Sequence, residues 1–183
     1  MKISYPHIIE NCIGEQIIFR EVVQEPDGDR VLLENFVQPG HGPAMHTHFK
    51  QEEMLEVISG KLGYQLLGEE PKYAGPGESV LFKRGIAHRF WNAGEVVLNC
   101  KGWIKPAHSI VFFLTALYAA QNKSGKSEPE SFDGAWLMTR YASEYDLPGI
   151  PVFIKKCIMP LTCLIGKLLG KYKKFSDAPP PLR

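Results

Sequence analysis

The 183-residue sequence predicts a mainly β domain, a sandwich or a small barrel, followed by a helical segment. From Gln16 to about Trp103, short runs rich in β-branched and aromatic residues alternate with glycine and proline turns, and no helical period occurs. A helical period begins only after Pro106. The length suits one well-buried domain with an appendage rather than two independent domains.

The predicted strands are short and closely spaced. They are Gln16–Val23, Arg30–Gln38, Leu55–Ser59, Lys61–Leu67, Ser79–Phe82, Ala87–Trp91 and Val96–Trp103. The first two flank a tight turn in which Pro26 fixes φ and Gly28 supplies a positive φ. Turns of this kind predict antiparallel neighbours.

The C-terminal part carries the helical signal. Ser109–Gln121 has apolar residues at helical spacing, and Asp133–Tyr145 has the pattern of a second helix. Pro151 is a starting point for a third helix, which Pro160 is expected to break or kink. The proline-rich tail from Ser176 is expected to be poorly ordered.

Composition excludes some classes of function. A formal net charge of +1 argues against a nucleic-acid binder that works through a global positive field. The four cysteines are scattered without a Cys-x-x-Cys pair, so we expect reduced thiols in a cytoplasmic protein. The first residues lack the apolar run of a secretory signal, and no apolar run is long enough to predict a membrane-spanning helix.

A candidate metal site lies in the stretch from Gly40 to Gly60. His46 and His48 are two residues apart, and Glu53 follows five residues later. In a strand, alternate side chains share a face, so both imidazoles point the same way. Two nitrogens and a carboxylate oxygen on one face indicate metal ligands. Glu52 is the competing carboxylate, and alternation turns it to the opposite side from Glu53.

A second stretch, Gly77–Asn92, supplies a further histidine, His88, on a strand after a glycine turn. Together, the two stretches read Gly40-x5-His46-x-His48-x4-Glu53-x6-Gly60 and Gly77-x5-Lys83-x-Gly85-x2-His88-x3-Asn92. This pair resembles the two motifs of the cupin superfamily, in its small single-domain form. The first motif is complete and its spacing to Gly60 favours Glu53, whereas the second departs at Lys83, where the family usually has proline.

The resemblance implies a jelly-roll barrel, or double-stranded β-helix, over residues 16–105. It leaves an N-terminal extension over 1–15 and a C-terminal helical extension over 106–183, which we expect to pack on the barrel or on a dimer partner. It also implies a metal in the barrel mouth, held by His46, His48, Glu53 and His88, with Glu53 able to act as a catalytic base. Three neutral imidazoles and one carboxylate suit divalent Fe, Mn, Ni, Co or Zn, and the sequence does not rank these ions.

The leading functional hypothesis is a metal-dependent enzyme, of dioxygenase or oxidase type, that acts on a small organic molecule. The alternatives are a Lewis-acid lyase or isomerase, including a sugar isomerase or epimerase, and a non-catalytic module that binds a small ligand. Candidates to line the cavity are Phe36, Leu55, Phe90 and Trp103, although for each of them we favour a plain core position. A homodimer is expected by analogy with jelly-roll families.

The segment Pro148–Lys174 contains six lysines and no acidic residue. One interpretation is a basic helix that makes peripheral contact with anionic lipid. The other is that its apolar side chains cover the barrel or a dimer partner while the lysines face water. We favour the second interpretation, because Pro160 is expected to spoil a single long interfacial helix.

Overall fold

The computed structural model describes residues 3–182. Its strands are β1 (His7–Glu10), β2 (Glu15–Val23), β3 (Arg30–Val37), β4 (Thr47–His48), β5 (Glu52–Ser59), β6 (Leu62–Leu66), β7 (Lys72–Ala74), β8 (Ser79–Phe82), β9 (His88–Asn92), β10 (Leu98–Lys105) and β11 (Tyr145–Asp146). Its helices are α1 (Ile110–Ser124), α2 (Ser131–Arg140) and α3 (Met159–Leu168). A π-helical turn, Ile154–Ile158, precedes α3, and a 3₁₀ turn, Lys173–Phe175, follows it.

Two antiparallel sheets form the β domain. The larger has the strand order β1-β2-β3-β10-β5-β8, and the smaller has the order β7-β6-β9. Along β3, buried and half-buried residues alternate strictly, as expected for strands with one face on a core. Phe19, Leu55 and Phe82 from the larger sheet share a core with Leu62 from the smaller. The predicted mainly β fold with an appended helical segment is confirmed.

The structure contains every strand that the sequence predicts. Ser79–Phe82 is reproduced as predicted, and the other predicted strands shift by one to three residues at their ends. The short strands β1, β4, β7 and β11 were not predicted, because two to four residues give a weak alternation signal, and β8, which is equally short, was predicted with the help of the Gly75-Pro76-Gly77 turn before it. Since β1 pairs with β2, part of the predicted N-terminal extension belongs to the larger sheet.

Two motif positions outside the candidate ligands have structural roles. Gly60 lies between β5 and β6 with φ of +90°, and a Cβ atom there would lie 2.9 Å from the Leu98 Cα. Asn92 is buried, and its side-chain amide donates to the carbonyl oxygens of Val37 (2.8 Å) and Val96 (2.7 Å). Asn92 therefore ties the end of β9 to the end of β3.

The C-terminal segment joins the β domain through β11. Tyr145 and Asp146 pair with His48 and Thr47 of β4 in an antiparallel bridge. The second predicted helix was expected to reach Tyr145, but α2 ends at Arg140. The helix stops early because Tyr145 takes part in sheet pairing, a long-range interaction that outweighs local helix propensity.

The structure modifies two expectations about prolines. Pro160 does not break the third helix, because the π-helical turn before it sends the Met159 N–H to the carbonyl of Ile154, and the helix continues through α3. The tail is also held in place. Pro179 accepts a hydrogen bond from the Tyr141 hydroxyl (2.9 Å), and the Leu182 N–H donates to Glu144 Oε1 (2.9 Å).

The apolar side chains of Pro148–Lys174 do not cover the barrel. Phe153, Leu164 and Leu168 are 66%, 56% and 80% exposed, respectively. Within residues 3–182, no helix has both the length and the hydropathy needed to cross a bilayer.

Candidate metal centre

All four predicted ligands meet in one cluster. His48 lies in β4, Glu53 in β5 and His88 at the start of β9. His46 joins them because its backbone exchanges two hydrogen bonds with that of His88, each 2.8 Å long. The potential ligand atoms of these residues lie within 4.8 Å of one another, a spacing that one metal ion can bridge.

Backbone carbonyls orient two of the imidazoles. His46 Nδ1 lies 2.8 Å from the carbonyl oxygen of Ala44, and His88 Nδ1 lies 2.9 Å from that of Ile86. Because a carbonyl oxygen can only accept a hydrogen bond, both Nδ1 atoms carry the proton and both Nε2 atoms are left with a free lone pair. The Phe82 ring stacks on His88 at a centroid distance of 4.1 Å, which fixes the plane of that imidazole.

The cluster has the polarity of a cation site. His88 Nε2 is buried and has no hydrogen-bond partner within the described residues, although Glu53 Oε2 lies 3.5 Å away. His48 Nε2 lies 3.7 Å from the same carboxylate oxygen. An unpaired buried acceptor beside a buried carboxylate is costly unless a cation lies between them. The residues therefore fit a divalent metal ion.

The protonation states also suit metal binding. Burial, together with the neighbouring imidazoles, lowers the pKa of His46 to about 4 and that of His48 to about 3. Burial alone would raise the pKa of Glu53, but the three surrounding histidines lower it to about 2. At neutral pH, His46 and His48 are thus neutral and Glu53 is ionised, which is the form in which they bind metals.

The structure separates the two adjacent glutamates as strand alternation predicts. Glu53 points into the cluster and is 6% exposed. Glu52 points the other way, with Oε1 lying 3.5 Å from Arg84 Nε. Of the two glutamates, only Glu53 belongs to the cluster.

The cluster borders a cavity of about 330 Å³ with mainly apolar walls. The apolar wall residues come from four strands and two helices. They are Ile17 (β2), Leu33 (β3), Phe90 (β9), Ile104 (β10), Phe113 and Leu117 (α1), and Met138 (α2). Of the four predicted lining residues, Phe90 lies on the cavity wall. Leu55 is in the core, and Phe36 and Trp103 alternate with the buried residues of β3 and β10 and lie on their outer side.

A buried polar pair in the cavity wall was missed by sequence analysis. The Tyr118 hydroxyl of α1 donates a 2.7 Å hydrogen bond to Glu15 Oε2 of β2. Burial raises the pKa of Glu15. The sequence contained no signal for this pair, because the two residues are 103 positions apart and Tyr118 fits the apolar pattern of its helix.

A second polar group supports the cluster from the C-terminal side. The Tyr145 ring meets the His48 imidazole edge-on, and its hydroxyl lies 2.8 Å from Ser109 Oγ and 3.1 Å from Gln51 Nε2. Glu144 Oε2 accepts hydrogen bonds from the same serine (2.7 Å) and glutamine (2.8 Å). The extension therefore helps to position a candidate ligand.

Comparisons with known proteins agree with the fold. Residues 36–100 match the family model described as Cupin domain. No curated protein matches the chain.

Solved structures resemble parts of the chain. A candidate sugar phosphate isomerase from Acidithiobacillus ferrooxidans is 26% identical, over 41% of this chain and 49% of its own, with a TM-score of 0.38. KdgF from Halomonas sp. is 17% identical, over 54% of this chain and 85% of its own, with a TM-score of 0.46. The capsular polysaccharide assembling protein CapF from Staphylococcus aureus is 22% identical, over 57% of this chain and 32% of its own, with a TM-score of 0.47. The chain thus spans about half the length of the first of these proteins.

The matched region, residues 36–100, contains both histidine motifs and all four members of the cluster. Residues 36–100 of the chain form a cupin domain.

Proposed function

We propose that the protein is a metal-dependent enzyme that acts on a small organic molecule with a largely apolar body. The observation that carries this proposal is the position of the four-residue cluster at the wall of a cavity lined mainly by hydrocarbon side chains. Mainly apolar cavities with a few polar groups are typical sites for small molecules. The walls exclude water and orient the substrate toward the cluster.

His46, His48, Glu53 and His88 would hold one divalent ion from the group Fe, Mn, Ni, Co and Zn. When bound, such an ion supplies a Lewis acid that polarises a substrate oxygen and, if it is redox-active, electrons for reaction with dioxygen. The carbonyls of Ala44 and Ile86 hold the proton of each neutral ring on Nδ1, so that Nε2 is the nitrogen of His46 and His88 available to the ion.

Glu53 has two proposed roles, metal ligand and catalytic base, and the structure supports the first more strongly than the second. Its pKa of about 2 makes it an ionised ligand over the physiological pH range, and a weak base while the histidines surround it. Proton acceptance at Oε2 would require the carboxylate to move away from His48 and His88. We therefore propose that ligation is its first role and base catalysis its second.

The Glu15–Tyr118 pair is proposed to bind a polar group on the substrate. Both side chains are buried in the cavity wall, and no cation pairs with Glu15 within residues 3–182. Burial raises the pKa of Glu15, and a cationic or hydrogen-bond-donating group of the substrate would offset the cost of its charge. A substrate held there would present its remaining polar group to the cluster.

The cavity lining also ranks the alternatives. A sugar carries a hydroxyl on nearly every carbon, and leaving those groups without partners is costly. Because the walls are mainly apolar, we place a sugar isomerase or epimerase below an oxidative enzyme or a lyase. A non-catalytic ligand-binding module would use the same cavity, and a test for turnover distinguishes it from an enzyme.

The test begins with elemental analysis of the purified protein, beside Glu53→Ala and its matched control Glu52→Ala. We expect about one metal ion per chain in the parent and in Glu52→Ala, and loss of the ion in Glu53→Ala. Absence of divalent-metal binding in the parent would refute the metal site.

Metal-loaded protein is then assayed with enolic and phenolic compounds, with an oxygen electrode and by product analysis. Oxygen uptake that depends on Glu53 supports the oxidative enzyme, and turnover without oxygen supports the lyase or isomerase. Ligand binding without turnover would assign the protein to the non-catalytic module.

A further inference from the structure

The third helical segment, residues 152–168, turns its apolar side outward. Phe153 and Leu168 are 66% and 80% exposed. The exposed apolar side chains are Val152, Phe153, Ile154, Ile158, Leu161, Leu164, Ile165, Leu168 and Leu169, which we call the apolar face. Ile158, Leu161, Ile165 and Leu168 are spaced by three and four residues and so lie on one side of the helix.

The opposite side of this segment, which contacts the protein, is small and polar. Gly166 is buried, and a Cβ atom there would overlap the Tyr172 hydroxyl. Cys163 Sγ lies 3.4 Å from Thr139 Oγ1 of α2, and Lys155 Nζ lies 2.7 Å from Asp146 Oδ1. A surface helix normally packs its apolar side against the protein. This helix does the reverse, and an exposed contiguous apolar patch of this kind marks an interaction surface.

The charged residues within and next to the third helical segment, between residues 147 and 176, are all lysines. Residues 147–176 include six lysines and no aspartate or glutamate. Lys155 and Lys174 are paired with Asp146 and Asp133. Lys156, Lys167 and Lys173 are exposed and form no ion pair within the described part of the chain, residues 3–182. Unpaired positive charge therefore accompanies the apolar face.

We propose that the apolar face docks onto an anionic lipid surface, with the third helical segment lying in the plane of the headgroups. Apolar residues would enter the acyl boundary, and the neighbouring lysines would reach the phosphates. The segment is too short to span a bilayer, so the contact is peripheral.

Charge favours lipid over a second copy of the chain. A two-fold contact through the apolar face would bring the lysines of both copies together, and the segment holds no acidic residue to pair with them. Like charges across an interface are unfavourable. The expected objection, that Pro160 interrupts the helix, does not apply, because the π-helical turn keeps the segment continuous.

The test is co-sedimentation of the full-length, metal-loaded protein with vesicles. Vesicles of equal parts phosphatidylcholine and phosphatidylglycerol are compared with pure phosphatidylcholine. We expect binding to the anionic vesicles that weakens as salt is raised, and little binding to the neutral ones. Leu164→Glu combined with Leu168→Glu should lower the partition coefficient at least about tenfold. Lys167→Gln should lower it about fivefold.

The matched control is Leu67→Glu. Leu67 is 61% exposed, as is Leu169 of the apolar face, but it follows β6 in the β domain. This control should bind anionic vesicles as the parent does, and circular dichroism checks that each variant folds.

Two outcomes overturn the proposal. One is a parent protein that stays off anionic vesicles. The other is a parent dimer, measured by sedimentation, that the double leucine variant converts to monomers without any vesicle binding. The second result would assign the apolar face to another copy of the chain. Neither outcome bears on the metal centre.

Discussion

Tyr145 is the antiparallel partner of His48, and its ring meets the imidazole of His48 edge-on at a centroid distance of 5.5 Å. One of these residues belongs to the C-terminal segment and the other is a candidate metal ligand. The site is therefore built jointly by the β domain and the segment that follows it. Residues of α1 and α2 complete the cavity wall in the same way.

The first prediction concerns this contact. Tyr145→Phe keeps the ring but leaves Ser109 and Gln51 without one buried partner, so we expect a loss of about 1–3 kcal/mol in the free energy of unfolding. Metal binding should persist, because the ring still supports His48. Tyr145→Ala should cost about 3–5 kcal/mol and also weaken metal binding. Urea unfolding and metal titration measure these effects.

The control for this prediction is Tyr73→Phe. Tyr73 is 55% exposed, so its substitution should change the stability by less than about 0.5 kcal/mol. Equal losses for the two Tyr→Phe variants would contradict the supporting role of the Tyr145 hydroxyl.

The second prediction separates the adjacent glutamates by metal affinity. Glu53→Gln keeps the shape of the side chain but removes the negative charge from a cluster that otherwise contains neutral imidazoles. We expect the dissociation constant for a divalent ion to rise at least about 100-fold. Glu52→Gln should leave it unchanged, because that carboxylate points toward Arg84. Competition titration with a chelating dye gives both constants.

The ligands of the first motif were predictable from local sequence, whereas His88 was predicted only through the resemblance of the two motifs to those of cupins, because its pairing with His46 is long-range. Strand alternation places His46 and His48 together and turns Glu53 away from Glu52, whatever the rest of the chain does. The contributions of Glu15, Tyr118 and Tyr145 depend on where the helices pack, which no local pattern encodes. The exposure of Leu164 and Leu168 could not be predicted either, because an apolar stripe has the same sequence whether it faces the protein or solvent.

The third prediction is that the metal-free protein loses stability as the pH falls. The folded-state pKa values of His46 and His48 are about 4 and about 3, below the ordinary value of 6.5. Between pH 6.5 and 4 the unfolded chain therefore binds more protons than the folded one, and unfolding becomes easier as the pH falls. Each histidine contributes up to about 1.4 kcal/mol per pH unit. Below about pH 4.5, Glu53 acts in the same direction, because its pKa is lowered to about 2.

Urea unfolding of the metal-free protein between pH 7 and pH 4.5 tests this slope. His48→Gln removes one of the two groups, so its stability should depend less on pH over this range. A parent whose stability is constant or rises toward pH 4.5, with no difference from His48→Gln, would show that the two histidines are not buried in neutral form.

The fourth prediction is that Glu15→Gln stabilises the protein and impairs its function. Burial raises the pKa of Glu15, so the ionised form is disfavoured in the folded state at neutral pH, and a neutral amide avoids that penalty while still accepting the Tyr118 hydrogen bond. We expect a gain of about 0.5–2 kcal/mol at pH 7, the range of single stabilising substitutions. As the pH falls and Glu15 takes up a proton in the folded state, the penalty disappears, so the stabilities of the parent and of Glu15→Gln should converge.

The control is Glu21→Gln, an exposed change on the same strand, which should have no such effect. A loss of stability in Glu15→Gln at pH 7, or a gain that persists at low pH, would show that the charge of Glu15 is not penalised. A gain of stability accompanied by weaker substrate binding would mean that the chain retains an unfavourable buried charge because the ligand needs it.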